Sequence, residues 1–281
     1  MKALSDVLNW PVSTAAVAVL HRSGDGGVTV AGQVGPAREP FRLASVTKPL
    51  AAYAVHVAVE EGALTLDDPA GPPAPPGATV AHLLAHASGL PFEGESPTSP
   101  PGRRRIYSNV GFELLGATVA AAAGMPFADY LAEAVFAPLG LTGARLDGSP
   151  AYAGYATLND LCAFAAELLA PRLLAPETFA RATTVAFPGL DGVLPGFGRQ
   201  RPNDWGLGFE LRGTKSPHWT GSANSPATFG HFGQSGTFVW VDPAVGVACV
   251  GLADRNFGDW ARAAWPVLSD AVLAELAPAA R

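Results

Sequence analysis

The chain has 281 residues, a formal net charge of −6, 48% hydrophobic residues and only 15% charged residues. This length and composition suit a compact enzyme with one large core, and they exclude a disordered chain. The acidic balance and the lack of a basic stripe argue against nucleic-acid binding. No apolar run reaches the roughly 20 residues that a membrane-spanning helix needs, so we expect no membrane association either.

Two features bear on the compartment in which the protein works. Residues 1–11 contain no long apolar stretch before a small-residue cleavage site, and the apolar run Ala15–Leu20 is too short for a secretion signal. We therefore expect a cytoplasmic protein, or a secreted or periplasmic one if a signal peptide has been removed. Cys162 and Cys249 stand in apolar surroundings without zinc-site or redox spacing, and we expect both to be buried free thiols.

Strand signals lie at the two ends of the chain, and helical signals lie between them. Thr14–Leu20 and Val28–Gly32 flank a glycine-rich turn and predict one hairpin, and Thr237–Val241 with Val245–Leu252 predicts a second. Helical periodicity is found in Leu50–Glu61, Val80–Ala87, Val110–Ala123, Phe127–Val135, Leu158–Leu169 and Trp260–Leu276. The loops 93–105 and 183–203 are expected to lie over the active-site cleft.

This order of elements predicts an α+β fold in a single domain, residues 1–281. An antiparallel sheet built from both chain ends, with flanking helices, occupies about 1–44 and 205–281, and a mostly helical subdomain is inserted at about 45–204. We expect the active site in the cleft between the two parts.

Ser45 and Lys48 are the strongest candidates for catalysis. They belong to the segment Ser45-Val46-Thr47-Lys48, and Pro49 requires the next helix to begin close to Ser45 because its ring would clash with the carbonyl four residues earlier. The Ser45 hydroxyl then lies at a positive helix end, and Lys48 reaches it on the same face. A lysine desolvated there loses its proton and acts as a base. The alternative is an N-cap serine followed by a solvated lysine.

Two further segments carry polar groups suited to chemistry. In Tyr107-Ser108-Asn109 a phenol and an amide stand two residues apart on an extended stretch and point the same way, so they are a candidate proton relay and a candidate hydrogen-bonding partner. His231-Phe232-Gly233 comes just before a strand, where glycine lets the backbone approach a ligand closely. Alone, each segment also fits a structural role: a packed tyrosine beside a capping asparagine, and a histidine in a glycine-rich bend.

Together these three segments resemble the motifs of the penicillin-recognising serine enzymes. In that family Ser-x-x-Lys is followed by Tyr-x-Asn and then by Lys- or His-x-Gly on a late strand, which is the order found here. The likeness extends to Gly62–Pro69, His82–Leu90, Pro138–Thr142 and Trp205–Phe209, and it covers roughly Phe41–Leu252. The chain is thus similar to the branch that contains class C β-lactamases, D-alanyl-D-alanine carboxypeptidases and the related family VIII esterases.

The resemblance implies an acyl-enzyme mechanism. Ser45 is expected to attack a carbonyl carbon, with Lys48 and Tyr107 sharing the role of general base. Asn109 is expected to help hold Lys48 and the acyl side chain, and His231 to complete the electrostatic setting around Tyr107.

The resemblance also implies an oxyanion hole formed by the backbone N–H groups of Ser45 and Gln234, the latter directly after the supporting Gly233. It implies no cofactor and no metal. His82 and His86, spaced like two ligands on one helix face, are an alternative metal pair, but no third ligand accompanies them.

The substrate class depends on His231, which stands where the β-lactamases of this branch carry lysine. A permanent cation there holds the substrate carboxylate, so its replacement argues against β-lactam turnover. We predict a serine hydrolase for a small-molecule ester, amide or peptide, foremost an esterase. A D-alanyl-D-alanine carboxypeptidase, a β-lactamase, an acyltransferase using the same intermediate, and an inert binding module of the same fold are the alternatives.

Overall fold

The computed structural model describes residues 1–94 and 96–276. The strands are β1 (Ala15–Arg22), β2 (Val28–Val34), β3 (Phe41–Arg42), β4 (Arg145–Leu146), β5 (Gly154–Ala156), β6 (Gly192–Leu194), β7 (Gly198–Gln200), β8 (Glu210–Leu211), β9 (Phe229–Gly233), β10 (Thr237–Asp242) and β11 (Val247–Ala253). The α-helices are α1 (Thr47–Glu60), α2 (Val80–Leu84), α3 (Asn109–Ala123), α4 (Phe127–Leu131), α5 (Ala137–Leu139), α6 (Leu158–Leu169), α7 (Pro176–Ala182) and α8 (Asp259–Leu276). Short 3₁₀ helices span Lys2–Asn9 and Ala44–Val46, and a π-helical turn spans Ala132–Phe136.

The main sheet joins the two ends of the chain. Its six strands run in the order β2-β1-β11-β10-β9-β8, and each neighbouring pair is antiparallel. Ala15 at the start of β1 lies opposite Ala253 at the end of β11. The predicted assembly of the sheet from both termini is therefore confirmed, and the predicted N-terminal and C-terminal hairpins are β1–β2 and β10–β11.

Five of the six strands, all but the edge strand β2, are buried on both faces of the sheet, and successive side chains of a strand point to opposite faces. In β1, Ala16, Ala18 and Leu20 belong to a core cluster that also contains the apolar residues of α1 and α6. Val17 and Val19 belong to a second cluster with the N-terminal 3₁₀ helix and α8. Helices therefore cover the sheet on both sides, as the α+β prediction required. Both cysteines are buried and free, as predicted.

Helix α1 begins where the proline rule predicts. The 3₁₀ turn Ala44–Val46 leads directly into α1 at Thr47, which puts Pro49 in the first turn, where a missing N–H costs no hydrogen bond. Nearly every residue of α1 up to Ala58 is buried. The helix is thus a central core element, which explains why its sequence has no polar face.

Three helical segments differ from the sequence prediction. Helix α2 ends at Leu84 rather than Ala87, because His86 adopts a left-handed φ of 53° that an α-helix cannot continue. The segment from Phe127 continues through the π-helical turn as far as Leu139. Helix α7 was not predicted at all. The division into two subdomains stays a prediction.

Among the described residues no single helix is both long and apolar enough to cross a membrane. Within that part of the chain, α3 and the segment Phe127–Leu139 reach this length and composition jointly, but they are bent by 85° at their junction.

Candidate active site

Ser45 lies in the 3₁₀ turn directly before α1, and hydrogen bonds of the neighbouring residues fix this turn. Leu43 donates its N–H to the Gly154 carbonyl (2.9 Å), and Thr47 Oγ1 accepts from the Gly154 N–H (2.9 Å). The preceding residue, Ala44, has a φ of 44°, a left-handed conformation that costs a non-glycine residue roughly 1 kcal/mol. The surrounding contacts fix this sharp turn, which leaves Ser45 partly exposed to the cleft.

Lys48 is completely buried beside Ser45, with a relative exposure of 0%. Its Nζ lies 2.7 Å from Asn109 Oδ1, 2.9 Å from the Ala151 carbonyl oxygen and 3.4 Å from Ser45 Oγ. No carboxylate of the described residues makes an ion pair with Lys48. The alternative of a solvated lysine is therefore wrong.

The surroundings of Lys48 favour the neutral amine. Burial lowers its pKa well below the ordinary value, and the charge of Glu113 opposes this shift. A neutral amine has two N–H donors and one lone pair. The Asn109 oxygen and the Ala151 carbonyl can only accept hydrogen bonds, so they take the two donors. The lone pair is then left for the Ser45 hydroxyl, which is the arrangement of a general base.

Tyr107 and His231 face Ser45 from the other side. Tyr107 Oη lies 3.3 Å from His231 Nε2, and His231 Nδ1 lies 2.6 Å from the Phe232 carbonyl oxygen. Because that carbonyl can only accept, Nδ1 carries the proton and Nε2 accepts from the Tyr107 hydroxyl. Burial lowers the pKa of His231 to about 3, so the ring is neutral. Burial also raises the pKa of Tyr107, and a hydrogen bond with Ser45 opposes that shift.

His86 supports Tyr107 from behind, a role the sequence analysis did not assign. Its ring packs on Tyr107 with centroids 4.6 Å apart and meets Trp205 edge-on at 4.6 Å. Its Nδ1 accepts from the Ser108 N–H at 3.1 Å, which fixes the backbone beside Tyr107. His86 lies outside α2, so the helical spacing that suggested a pair with His82 does not exist. The only signal for its role was its place in the family-like segment His82–Leu90.

Gly233 and Gln234 bring the β9–β10 turn against the nucleophile. A Cβ at Gly233 would collide with the Leu43 carbonyl oxygen and would lie 3.2 Å from the Ser45 nitrogen, so only glycine permits this approach. The Thr237 hydroxyl donates to the Leu43 carbonyl at 2.7 Å and ties the turn to the segment before Ser45. The Gln234 carbonyl accepts from the Phe257 N–H at 2.8 Å, which fixes its own backbone. The predicted oxyanion-hole residues thus lie on adjoining segments.

An inner cavity adjoins Ser45, and an outer cavity, which Ser45 does not line, borders the inner one. The inner cavity, about 140 Å³, is lined by Ser45, Phe92, Tyr107, Leu194, Pro195, Trp205, Glu210, His231, Phe232 and Gln234. The outer cavity, about 430 Å³, is lined by Phe92, Arg104, Arg105, Ile106, Tyr107, Val193 and Pro195. Phe92, Tyr107 and Pro195 border both. The two loops predicted over the cleft supply Arg104, Arg105 and Val193 to Pro195, and Trp205 forms a wall.

Behind the inner cavity lies a buried charged cluster that sequence reasoning missed. Glu210 accepts from Lys215 Nζ at 2.7 Å and from the Trp219 indole, and its Oε1 lies 3.0 Å from His218 Nε2. Burial alone would raise the pKa of Glu210, but the charges of Lys215 and His218 and their hydrogen bonds hold it well below its ordinary value. Both carboxylate oxygens therefore accept hydrogen bonds from buried partners behind the cavity.

The structure thus brings together every predicted site residue: Ser45, Lys48, Tyr107, Asn109, His231, Gly233 and Gln234. The residues described contain no group of three or more His, Cys, Asp or Glu side chains placed to hold a metal ion.

Comparison with known proteins finds a family profile and a solved structure that match nearly the whole chain. The sequence profile of the Beta-lactamase family matches residues 12–273. A crystal structure of a beta-lactamase from Mycobacterium bovis has 54% sequence identity and a TM-score of 0.94, and the match covers 98% of this chain and 100% of that one.

Two curated relatives match more weakly. Penicillin-binding protein 4* of Bacillus subtilis is 30% identical over 136 residues, which are 38% of this chain and 30% of that protein. The D-alanyl-D-alanine-carboxypeptidase/endopeptidase AmpH of Escherichia coli is 29% identical over 143 residues, which are 39% of this chain and 37% of that protein. The match therefore spans about a third of the length of these two relatives. The profile and the full-length structural match confirm the resemblance seen in the motifs: the chain belongs to the beta-lactamase family of serine hydrolases.

Proposed function

We propose that the protein hydrolyses small, uncharged carboxylic esters through an acyl-enzyme on Ser45. The observation that carries this proposal is the placement of Lys48 Nζ. This atom is buried, hydrogen-bonded to Asn109 Oδ1 and the Ala151 carbonyl oxygen, and its third hydrogen-bonding position points toward Ser45 Oγ. An inert binding module has no need for a desolvated amine beside a partly exposed serine.

Acylation then follows from the geometry. The Ser45 hydroxyl gives its proton to the Lys48 amine while Oγ attacks the ester carbonyl carbon. The N–H groups of Ser45 and Gln234 stabilise the negative charge on the carbonyl oxygen. When the bond to the leaving oxygen breaks, the Tyr107 hydroxyl exchanges its hydrogen bond to His231 for one to that oxygen and protonates it. The Lys48 ammonium returns a proton to the Tyr107 phenolate, whose raised pKa makes it a strong acceptor.

Deacylation uses the same groups in reverse. Water takes the place of the departed alcohol, loses a proton to the Tyr107 and Lys48 pair and attacks the acyl carbon. The Ser45 oxygen then leaves as the hydroxyl, and both bases return to their resting protonation.

The charges around Ser45 favour neutral esters over substrates that carry a carboxylate. Among the described residues, no lysine or arginine lines the inner cavity. His231 is neutral because its pKa lies at about 3, and the Glu210 carboxylate is paired inward. A β-lactam or a D-alanyl-D-alanine terminus would therefore find no lysine or arginine in the inner cavity for its carboxylate. This supports an esterase rather than the carboxypeptidase activity named for AmpH.

The test compares the wild type with Ser45→Ala on p-nitrophenyl acetate, a chromogenic cephalosporin and a D-alanyl-D-alanine peptide. A fluorophosphonate probe with peptide mass spectrometry reports the labelled serine. We expect ester turnover and labelling at Ser45, both lost in Ser45→Ala and kept in the matched control Ser5→Ala, an exposed serine of the N-terminal 3₁₀ helix. If the protein turned over the cephalosporin or the peptide faster than the ester, the assignment as an esterase would be wrong. Labelling at no serine would contradict the nucleophile itself.

A further inference from the structure

The inner and outer cavities together form one apolar path that leads away from Ser45. They share Phe92, Tyr107 and Pro195, and the path continues to Val193 and Ile106. Its largely apolar lining differs from what a polar acetate-sized substrate needs. A substrate that fills only the space next to Ser45 leaves this path unused.

Two of the three charged residues that line the path, Arg105 and Glu210, are buried and hydrogen-bonded to partners that do not line it. The Arg105 guanidinium is buried and donates to the carbonyl oxygens of Asn203 (3.1 Å) and Ala186 (2.7 Å). Glu210 is held by Lys215 and Trp219 on the far side of the inner cavity wall. Arg104 is exposed at the mouth of the outer cavity. The interior of the path therefore suits an uncharged hydrocarbon group.

The proton donor identifies which half of the ester enters this path. Tyr107 borders both cavities, and in the proposed mechanism it protonates the leaving oxygen. The alcohol half of the ester must therefore pass Tyr107 and lie on its side of Ser45. The opposite side of Ser45 is occupied by Lys48 with its partners Asn109 and Ala151.

We propose that the inner and outer cavities bind the alcohol half of the substrate, and that this half is an extended, uncharged alkyl or aryl group. The inference rests on the proposed function and adds the substrate class to it. Burial of each added methylene is worth up to about fourfold in kcat/KM.

Two matched series of esters test the assignment. One keeps the acetyl group and lengthens the alcohol from ethyl to hexyl, and the other keeps ethanol and lengthens the acid from acetyl to hexanoyl. Both are measured as kcat/KM by proton release. We expect a rise of at least tenfold along the alcohol series and a change of less than about threefold along the acid series.

Two variants at the outer cavity link the preference to these residues. Val193→Ser and Phe92→Ala change side chains that are 56% and 49% exposed, so both proteins should fold. We expect each variant to reduce the ratio of kcat/KM for hexyl acetate to kcat/KM for ethyl acetate at least threefold. Val267→Ser, at an exposed valine of α8 that borders neither cavity, is the matched control and should keep the wild-type ratio.

The outcomes separate this inference from the proposed function. Ser45-dependent ester turnover with a flat alcohol series, or with a steeper acid series, would overturn the alcohol-site assignment alone. Variants that leave the ratio unchanged would overturn it as well. The absence of Ser45-dependent turnover for every ester would overturn the proposed function, and the inference would fall with it.

Discussion

Asn109→Asp tests whether the neutral state of Lys48 drives the reaction. The substitution keeps the size and shape of the side chain and places a carboxylate 2.7 Å from Lys48 Nζ, where the amide oxygen now lies. Two unit charges 4 Å apart attract by about 4 kcal/mol at an effective dielectric constant of about 20, equivalent to about 3 pKa units. The shorter distance increases this attraction, and desolvation of the new carboxylate reduces it. We therefore expect the pKa of Lys48 to rise by at least about one unit.

The sign of the effect follows from the role of the amine. The base works only when it is neutral, so activity is present above the Lys48 pKa and is lost as the pH falls through it. In the wild type burial holds this pKa well below its ordinary value, which lets activity extend toward low pH. In Asn109→Asp the loss should begin at a higher pH, and a tenfold rise in the proton affinity of the amine should lower activity on the acid side about tenfold.

The assay is kcat/KM for a neutral ester from pH 5 to 10, which reports the ionisations of the free enzyme. Asn159→Asp, at an exposed asparagine in α6, is the matched control and should leave the acid limb in place. An acid limb that does not move in a folded Asn109→Asp protein would refute the assignment of Lys48 as the base.

Two further substitutions test the neighbouring groups. Tyr107→Phe keeps the ring that packs on His86 but removes the proton donor, so kcat should fall by about 10²–10⁴ with an unchanged Tm; a loss below tenfold would leave the proton transfers to Lys48 alone. Glu210→Gln leaves the buried Lys215 without its counter-charge, and the free energy of unfolding in urea should fall by about 3–5 kcal/mol. The double variant with Lys215→Met should recover most of this loss, and a fall below about 1 kcal/mol in the single variant would contradict the buried ion pair.

Rules that depend only on residues close in sequence predicted how Ser45 and Lys48 lie relative to each other. Pro49 restricts where α1 can begin, and the three-residue spacing then places Lys48 beside Ser45 without knowledge of the rest of the fold. Runs of β-forming residues that flank short turns likewise predicted the strands at both chain ends. These features depend on neighbours in sequence, so the sequence displays them directly.

The missing parts depend on contacts between distant segments. The Ala151 carbonyl, which holds Lys48, is a backbone atom, and no residue type marks its role. His86 ends α2 in a left-handed conformation that is rare outside glycine, so its helical pattern was misleading. The proton on His231 Nδ1 is assigned by the carbonyl of Phe232, which only the folded strand places there. Side-chain chemistry was therefore predictable, whereas the backbone partners that tune it were not.

The pairing of β1 with β11 has a consequence for how the protein is made. Ala15 pairs with Ala253, so strand β1, in the interior of the sheet, has no partner on this edge until residue 253 has been synthesised. At about 5–20 residues per second this wait lasts on the order of 10 to 50 seconds. During this interval β1 can pair only with β2, and its other edge remains open to strands of other molecules. That edge belongs to the apolar run Ala16–Leu20, which is buried in the finished fold. We expect the growing chain to depend on chaperones in this interval, and any product that terminates before β11 to aggregate rather than fold.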